Sequence, residues 1–196
     1  MTSSSPIDRL RAVIAAEGPP LADGLVSAQA GEVFGPLAAA GSRTTAAAGD
    51  YALLVEAIFE GYLLHYASGR LLAPADDDLR LLGGDFLYAY GLASLARLGD
   101  DDAIHDLAEL IGLCAQASRD RVERQPEFGA AFWALTCLSV AAGRWPGYEQ
   151  AIAAARQGDP DATITAREAA AERAQAVGLT LGLEHSLIAF RSIAAG

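Results

Sequence analysis

The chain has 196 residues, of which 52% are hydrophobic, and its 25 acidic and 14 basic residues give a formal net charge of −11. This length and apolar fraction suffice for one compact domain with a sizeable core, so we expect a single domain over residues 1–196. The acidic balance would repel a phosphate backbone and anionic lipid headgroups, which excludes nucleic acid from the expected partners.

Apolar residues recur at steps of three and four along the chain, and β-branched runs are scarce. This periodicity predicts an all-α protein, a single bundle of about eight helices. The first helix is predicted to begin at Pro6 behind an N-cap Ser5 and to run to about Ala16. A second helix is predicted over about Leu21 to Ala39, with two short pieces as the alternative because glycines interrupt the segment.

Two long helices and an acidic turn are predicted in the middle of the chain. The first runs from about Ala46 to Ser68 and ends at a Gly69 cap. Its buried face would carry Leu54, Ile58, Tyr62 and His65. The second follows the triplet Asp76 to Asp78 and reaches Leu98, where Gly99 caps it. The triplet Asp100 to Asp102 then starts a helix that runs to about Arg124.

The C-terminal part is predicted to form three further helices. They cover about Glu127 to Ala142, Tyr148 to Gln157 and Asp161 to Ile193, and the last is expected to bend near Gly178 or Gly182. In the turn before it, Gly158 would stop one helix, Asp159 would cap the next and Pro160 would occupy its first position.

The sequence shows neither a signal-peptide pattern nor a stretch long enough to span a membrane. No basic stretch followed by an apolar one opens the chain, so we expect a cytoplasmic protein. The most apolar windows are shorter than the ~20 residues that a spanning helix needs, so the protein is not expected to span a membrane. Cys114 and Cys137 lie in apolar helical stretches, which favours buried free thiols over a disulfide.

Two neighbouring segments resemble part of a known enzyme family. They are Leu64-His65-Tyr66-Ala67-Ser68-Gly69-Arg70 and Leu82-Gly83-Gly84-Asp85-Phe86-Leu87-Tyr88-Ala89. The pair is similar to the trans-prenyl diphosphate synthases, in which an aromatic-rich helix ends in His-Asp-Asp-x-x-Asp and the next long helix opens with a Leu-Ala-Gly-Asp-Tyr-Leu-like sequence. The resemblance covers about Tyr51 to Arg121.

The chain departs from this family where the family carries its chemistry. Tyr66 and Ala67 stand in place of the first aspartates, and Arg70 stands alone where the family has an arginine pair. No second Asp-Asp-x-x-Asp motif follows Ala130. In the family these carboxylates hold the Mg²⁺ ions that neutralise a leaving diphosphate. The resemblance therefore implies a prenyl-synthase-like core without catalytic residues, similar to the small non-catalytic subunit of bacterial heteromeric heptaprenyl diphosphate synthases.

The two Asp triplets are the chain's own candidates for metal ligands. They lie at opposite ends of one predicted helix of about 22 residues, which separates them by roughly 30 Å. They cannot share a metal ion at that distance, whereas aspartates at a helix start accept hydrogen bonds from free backbone N–H groups. We interpret both triplets as helix caps, and we expect no metal and no cofactor.

Other charged residues are interpreted structurally. Glu56 and Glu60 share one helix face, and because no Glu-x-x-His step accompanies them we expect solvated or interhelix-paired carboxylates. Asp85 lies in a helix interior and is expected to form a buried pair with an arginine of a neighbouring helix. His65 is expected to be a hydrogen-bonded core histidine, with a ligand or acid–base role as the alternative. Gly83-Gly84 indicates a close approach of two helices.

Three functions remain open from the sequence. The first is a non-catalytic subunit that associates with a catalytic prenyl diphosphate synthase or with itself, through an exposed apolar face of the Asp78 to Leu98 helix or its neighbours. Such a subunit could shape an isoprenoid tunnel lined by Phe59, Tyr62, His65, Tyr66, Asp85 and Phe86, although these aromatics also fit an ordinary core. The second is a stand-alone protein that binds a lipid or isoprenoid. The third is a helical enzyme with an unrecognised site, for which Glu60, His65 and Asp85 are the candidates.

Overall fold

The computed structural model describes residues 4–27, 31–119 and 126–194, and these residues form an all-α bundle, as the periodicity predicted. The described residues hold nine α-helices and two 3₁₀ turns, at Ala22–Gly24 and Thr45–Ala47. The helices are α1 (Pro6–Ala16), α2 (Gly35–Ala39), α3 (Ala48–Tyr66), α4 (Asp77–Leu98), α5 (Asp101–Arg119), α6 (Pro126–Ala142), α7 (Pro146–Arg156), α8 (Ala162–Ala176) and α9 (Thr180–Ala194).

Helices α3 and α6 form the centre of the bundle. Every residue of α3 from Tyr51 to Leu64 is buried, and so is every residue of α6 from Phe128 to Ala141. The helices α1, α2 and α4 pack around α3, while α2, α5, α8 and α9 pack around α6. A helix that is apolar on all sides has to be enclosed in this way.

The segment after α1 differs from the prediction. Helix α1 itself is confirmed, with the Ser5 hydroxyl accepting a hydrogen bond from the Asp8 N–H at 3.1 Å. A single helix over Leu21 to Ala39 is wrong, because the described part of that segment holds only the 3₁₀ turn, an extended stretch and the short α2. The extended stretch pairs with the loop after α3, where the Val26 N–H donates to the Leu71 carbonyl at 2.9 Å. Glycine disfavours the helical conformation, and here the backbone bonds to another segment and not within a helix.

The ends of α3 and α4 test the predicted caps. Helix α3 ends at Tyr66, and Gly69 lies in the following loop, so the Gly69 cap is wrong. Helix α4 begins and ends as predicted: an Asp76 carboxylate oxygen accepts from the Leu79 N–H at 2.8 Å, and Gly99 has a left-handed φ of 73°. An Asp100 oxygen accepts from the Ala103 N–H at 3.0 Å, which confirms a capping aspartate in each triplet.

Helices α3 and α4 approach each other closely at glycines. A Cβ atom on Gly84 would lie 2.7 Å from the His65 ring, and one on Gly91 would lie 2.4 Å from Ile58 Cγ1. A Cβ atom would clash at both positions, so close packing of the two helices explains Gly84 and Gly91, and the close approach predicted for Gly83-Gly84 is found at Gly84.

The C-terminal part contains one more helix than predicted. The helix expected over Asp161 to Ile193 is two helices, α8 and α9, because the chain turns at Gly178, whose φ is 74°. Helix α8 is preceded by Asp161 and not by the predicted cap Asp159. The helix predicted to reach Arg124 is described to Arg119, and the rest of that prediction lies outside the described residues. Cys114 and Cys137 are buried free thiols, as expected.

Candidate functional site

Five of the six side chains predicted to line a tunnel contact one another in series, from Phe59 through Tyr62, Tyr66 and His65 to Asp85, and Phe86 lies on the outer side of α4. Phe59 is fully buried, with its ring centroid 5.3 Å from that of Phe34 and 5.0 Å from that of Trp133. The Tyr62 ring stacks on the Phe59 ring at 5.9 Å. Rings at these distances are in contact. The region around Phe59 is therefore filled with side chains, and a tunnel through it stays a prediction.

Tyr62 and Tyr66 line a small cavity at the C-terminal end of α3. Its volume is about 170 Å³, and its other walls are Leu63, Ala67, Pro126, Phe190, Ile193 and Ala194. Pockets for drug-sized ligands usually measure about 300–1,000 Å³. This cavity therefore has room for a small apolar group or for one end of a longer chain.

His65 and Asp85 meet where α3 and α4 touch, at the protein surface. His65 Nε2 lies 3.2 Å from an Asp85 carboxylate oxygen, and the Asp85 side chain is 72% exposed. The prediction of a buried pair between Asp85 and an arginine is therefore wrong. Gly84 faces α3, and because successive helical residues are turned by about 100°, Asp85 lies at the solvent-exposed edge of the contact. The His65 ring is half-buried and stacks on Tyr88 at 5.1 Å.

The side of α4 that faces away from α3 carries an apolar stripe beside the exposed residues Asp78 and Asp85. Five residues at steps of four and three form one stripe along it, which we call the α4 stripe: Leu82, Phe86, Ala89, Ala93 and Ala96. Leu82 is 62% exposed, and Leu81 beside it is 42% exposed. The three alanines are exposed and Phe86 is half-buried. A surface helix normally carries polar residues on its outer side. An exposed apolar stripe is typical of an interaction surface.

Carboxylates lie at both ends of the α4 stripe. Residues 76–102 contain seven aspartates and two arginines. Asp76 to Asp78 are exposed at the start of α4, and Asp101 and Asp102 are exposed after its end. Both ends of the stripe are therefore acidic.

Asp100 is held by the bundle, and Arg43, which pairs with it, also lies 3.3 Å from an Asp102 carboxylate oxygen. The Asp100 carboxylate accepts hydrogen bonds from the Tyr51 hydroxyl at 2.6 Å and from Arg43 at 2.9 Å. Burial alone would raise the pKa of Asp100, but the hydrogen bonds from Tyr51, Ala103 and Arg43 lower it overall. Burial and the Asp100 hydrogen bond raise the pKa of Tyr51 to about 12. Asp100 therefore ties the end of α4 to the start of α3.

Glu56, Glu60 and Arg70 form a buried charged cluster that the sequence did not reveal. Glu56 and Glu60 are fully buried, and Arg70 is 2% exposed. Arg70 donates from Nη1 to Glu56 at 2.6 Å and from Nε to Glu60 at 3.0 Å. Burial would lower the pKa of Arg70, but the two carboxylates raise it overall. The carboxylates are thus paired but not solvated, and Arg70 belongs to the loop after α3.

Backbone groups complete the hydrogen bonds of this cluster. Glu56 Oε1 accepts from three consecutive N–H groups at 2.7 to 2.8 Å, and Glu60 Oε1 accepts from one at 2.8 Å; the donors are Val33, Phe34, Gly35 and Leu71. All four carboxylate oxygens therefore have partners inside the protein. The cluster fastens the start of α2 and the loop after α3 to the central helix.

A sequence signal for this cluster exists in retrospect. The two glutamates are polar positions within the fourteen consecutive buried residues of α3, and Arg70 is the first basic residue after that helix. A charge that lies in a helix apolar on all sides has to be paired, because an unpaired buried charge is strongly destabilising. Glu60, a candidate for the enzyme hypothesis, is occupied in this way.

A second ion cluster joins α5 to the turn before α7. The Arg144 guanidinium lies 2.6 Å from Asp106, whose side chain is 1% exposed, and 3.3 Å from Glu149. Glu109 pairs with Arg156 of α7. Burial raises the pKa of Tyr148 well above its ordinary value, and Asp106 adds to this effect. These pairs fix the short connection between α6 and α7.

Within residues 4–27, 31–119 and 126–194, no three His, Cys, Asp or Glu side chains are grouped as a metal site requires. Over the same residues, no helix has the length and apolar character to cross a membrane. No protein-family model, curated protein or solved structure matches this chain.

Proposed function

We propose that this protein is a non-catalytic helical subunit that binds another protein through the α4 stripe. The observation that carries the proposal is the exposure of large apolar side chains on the outer side of α4, with Leu82 at 62%. Full burial of one leucine side chain is worth about 1.5–3 kcal/mol. A partner that covers the stripe would therefore gain stability that the isolated chain leaves unused.

The hydrogen bonds of the buried glutamates, Glu56 and Glu60, support a structural role for these two residues. All four oxygens of Glu56 and Glu60 accept hydrogen bonds from Arg70 or from backbone N–H groups. A general base or a metal ligand needs a free oxygen that faces a substrate site. These two residues are therefore assigned to folding and not to chemistry.

The resemblance noted in the sequence suggests the class of partner. A catalytic prenyl diphosphate synthase would supply the metal ions and the diphosphate site, and the present chain would stabilise it or limit the length of its product tunnel. Tyr62 and Tyr66 are the residues through which an isoprenoid tail would be contacted, because they line the cavity of about 170 Å³.

The assembly state of the protein in its native cells tests this proposal. Native mass spectrometry of the tagged chain, isolated from the cells that produce it, should show a complex heavier than the 20.3 kDa chain that includes a second kind of protein. The isolated chain should show no Mg²⁺-dependent turnover of an allylic diphosphate. A protein found only as a monomer, or turnover by the isolated chain, would contradict the proposal.

A stand-alone lipid-binding protein is the second candidate, and one further cavity supports it. This cavity of about 260 Å³ lies between α5, α6 and the turn from α7 to α8, and Leu113, Ala117, Phe128, Ala155 and Ala162 provide its apolar wall. Extraction of the purified protein with organic solvent, followed by mass spectrometry, should recover a stoichiometric lipid under this hypothesis. A ligand-free monomer would exclude it.

A further inference from the structure

The charges around the α4 stripe indicate the chemistry of its partner. Asp78 and Asp85 lie on the outer side of α4, near Leu82, and Asp101 and Asp102 follow the other end of the helix. Helix α4 has 22 residues, so the two acidic ends are about 33 Å apart at 1.5 Å per residue. Arg80 lies near one end, where it pairs with Asp77. Arg97 lies near the other end, where Arg43 pairs with Asp100 and Asp102 and leaves Asp101 exposed.

A second copy of the chain fits this charge distribution poorly. An antiparallel copy centred on Ala89 would place residues 76–78 of one chain opposite residues 100–102 of the other, and both segments are three aspartates. A parallel copy would place the two Asp76 to Asp78 triplets side by side. Like charges brought together across an interface cost several kcal/mol. The net charge of −11 on each chain adds to the repulsion.

We infer that the α4 stripe binds an amphipathic helix of a different protein, about as long as α4, with an apolar side and Arg or Lys at both ends. This inference rests on the proposed function and names the partner of the same surface. The apolar side of the bound helix would cover Leu82 and Phe86, whose side chains are the largest of the stripe. Its basic ends would lie beside the two acidic ends of α4, which fixes the position of the helix along the stripe.

Two synthetic peptides test the inference. Each is a fluorescein-labelled helical peptide of about 22 residues with one apolar side; one has two Arg at each end, and the other has two Glu at each end. Fluorescence anisotropy at low salt should show that the Arg peptide binds wild-type protein about tenfold tighter than the Glu peptide. This preference should shrink at about 300 mM NaCl, where exposed charges are screened.

Matched variants distinguish binding at the α4 stripe from a general attraction of the Arg peptide to an acidic protein. The combined change Asp78→Asn, Asp101→Asn and Asp102→Asn should reduce the preference to about twofold. The combined change Glu168→Gln, Glu172→Gln and Glu184→Gln removes the same charge from exposed positions elsewhere and should leave it intact. Leu82→Glu should weaken the binding of both peptides. Leu181→Glu, at a 71% exposed leucine of α9, should leave the binding of both unchanged.

The possible results distinguish the inference from the proposed function. Equal binding of the two peptides, a preference for the Glu peptide, or equal loss of preference in both charge variants would overturn the inference alone. A wild-type dimer that Leu82→Glu dissociates would also overturn it, since the partner would then be a second copy. Absence of binding by either peptide, or binding that does not respond to Leu82→Glu, would overturn the inference and remove support from the proposed surface.

Discussion

Helices α3 and α4 are antiparallel neighbours that distribute polarity in opposite ways. Helix α3 carries two carboxylates in the protein interior, where Arg70 and backbone N–H groups satisfy them. Helix α4 carries Leu82 and Phe86 on its outer side, where Leu82 is 62% exposed and Phe86 is half-buried. The comparison teaches that buried charge here completes the fold, whereas the exposed apolar surface of α4 is the one that we propose binds a partner.

Removal of the buried cation should have the largest effect on stability. Arg70→Met leaves Glu56 and Glu60 buried without their counter-charge, so the free energy of unfolding should fall by about 3–5 kcal/mol. Urea denaturation followed by circular dichroism measures this change. Arg191→Met, at an exposed position of α9, is the control and should change stability by less than about 0.5 kcal/mol. A loss below about 1 kcal/mol in Arg70→Met would show that the cluster contributes little.

The α3–α4 contact should be sensitive to a single methyl group. Gly91→Ala places a Cβ 2.4 Å from Ile58 Cγ1, so unfolding free energy should fall by about 1–3 kcal/mol. Gly112→Ala in α5 is the matched change, because nothing lies within 4 Å of a Cβ there. That substitution should stabilise the protein by about 0.5–1 kcal/mol. Similar effects at the two glycines would argue against the tight contact.

Two aspartates of the first triplet should contribute differently to stability, because Asp76 caps α4 and Asp78 does not. Asp76→Ala removes the oxygen that accepts from the Leu79 N–H, which should cost about 1 kcal/mol of unfolding free energy. Asp78→Ala, two residues later and exposed, should cost less than about 0.5 kcal/mol. Thermal unfolding of both variants is the measurement. An equal cost would mean that capping does not distinguish them.

The link between Tyr51 and Asp100 should appear as a shifted titration. The folded pKa of Tyr51 is raised to about 12 from an ordinary 10.0, so its contribution to stability is full below pH 10.0 and is lost as pH rises toward 12. The ultraviolet difference spectrum between wild type and Tyr51→Phe should therefore show a phenol that ionises near pH 12. Asp100→Asn should move that ionisation toward the ordinary value. A phenol that titrates near 10.0 in wild type would contradict the hydrogen bond.

Local chemistry allowed much of the fold to be predicted from the sequence. The Ser5 cap and the α4 caps at Asp76 and Gly99 each depend on residues within a few positions of one another. The prediction failed where distant parts of the chain decide the outcome. The described parts of the segment predicted as one helix, residues 21–27 and 31–39, do not form it because their backbone bonds to Glu56 and to Leu71, which the local pattern does not reveal.

The candidate site was predictable only in part, for the same reason. An exposed apolar face on the Asp78 to Leu98 helix was expected, and the exposure of Leu81 and Leu82 agrees with it. The direction of Asp85 depends on which side of α4 faces α3, and the burial of Glu56 and Glu60 depends on Arg70 returning to the central helix. Sequence spacing alone contains neither fact.

The most direct test of the central claim compares two leucine substitutions in the native cells. Tagged wild type, Leu82→Glu and Leu181→Glu are isolated in parallel, and the co-isolated proteins are quantified by mass spectrometry. We expect a partner at stoichiometric amounts with wild type and Leu181→Glu, and at least about tenfold less of it with Leu82→Glu, while all three chains unfold at the same temperature. Undiminished recovery of the partner by Leu82→Glu would contradict the assignment of the α4 stripe as the binding surface.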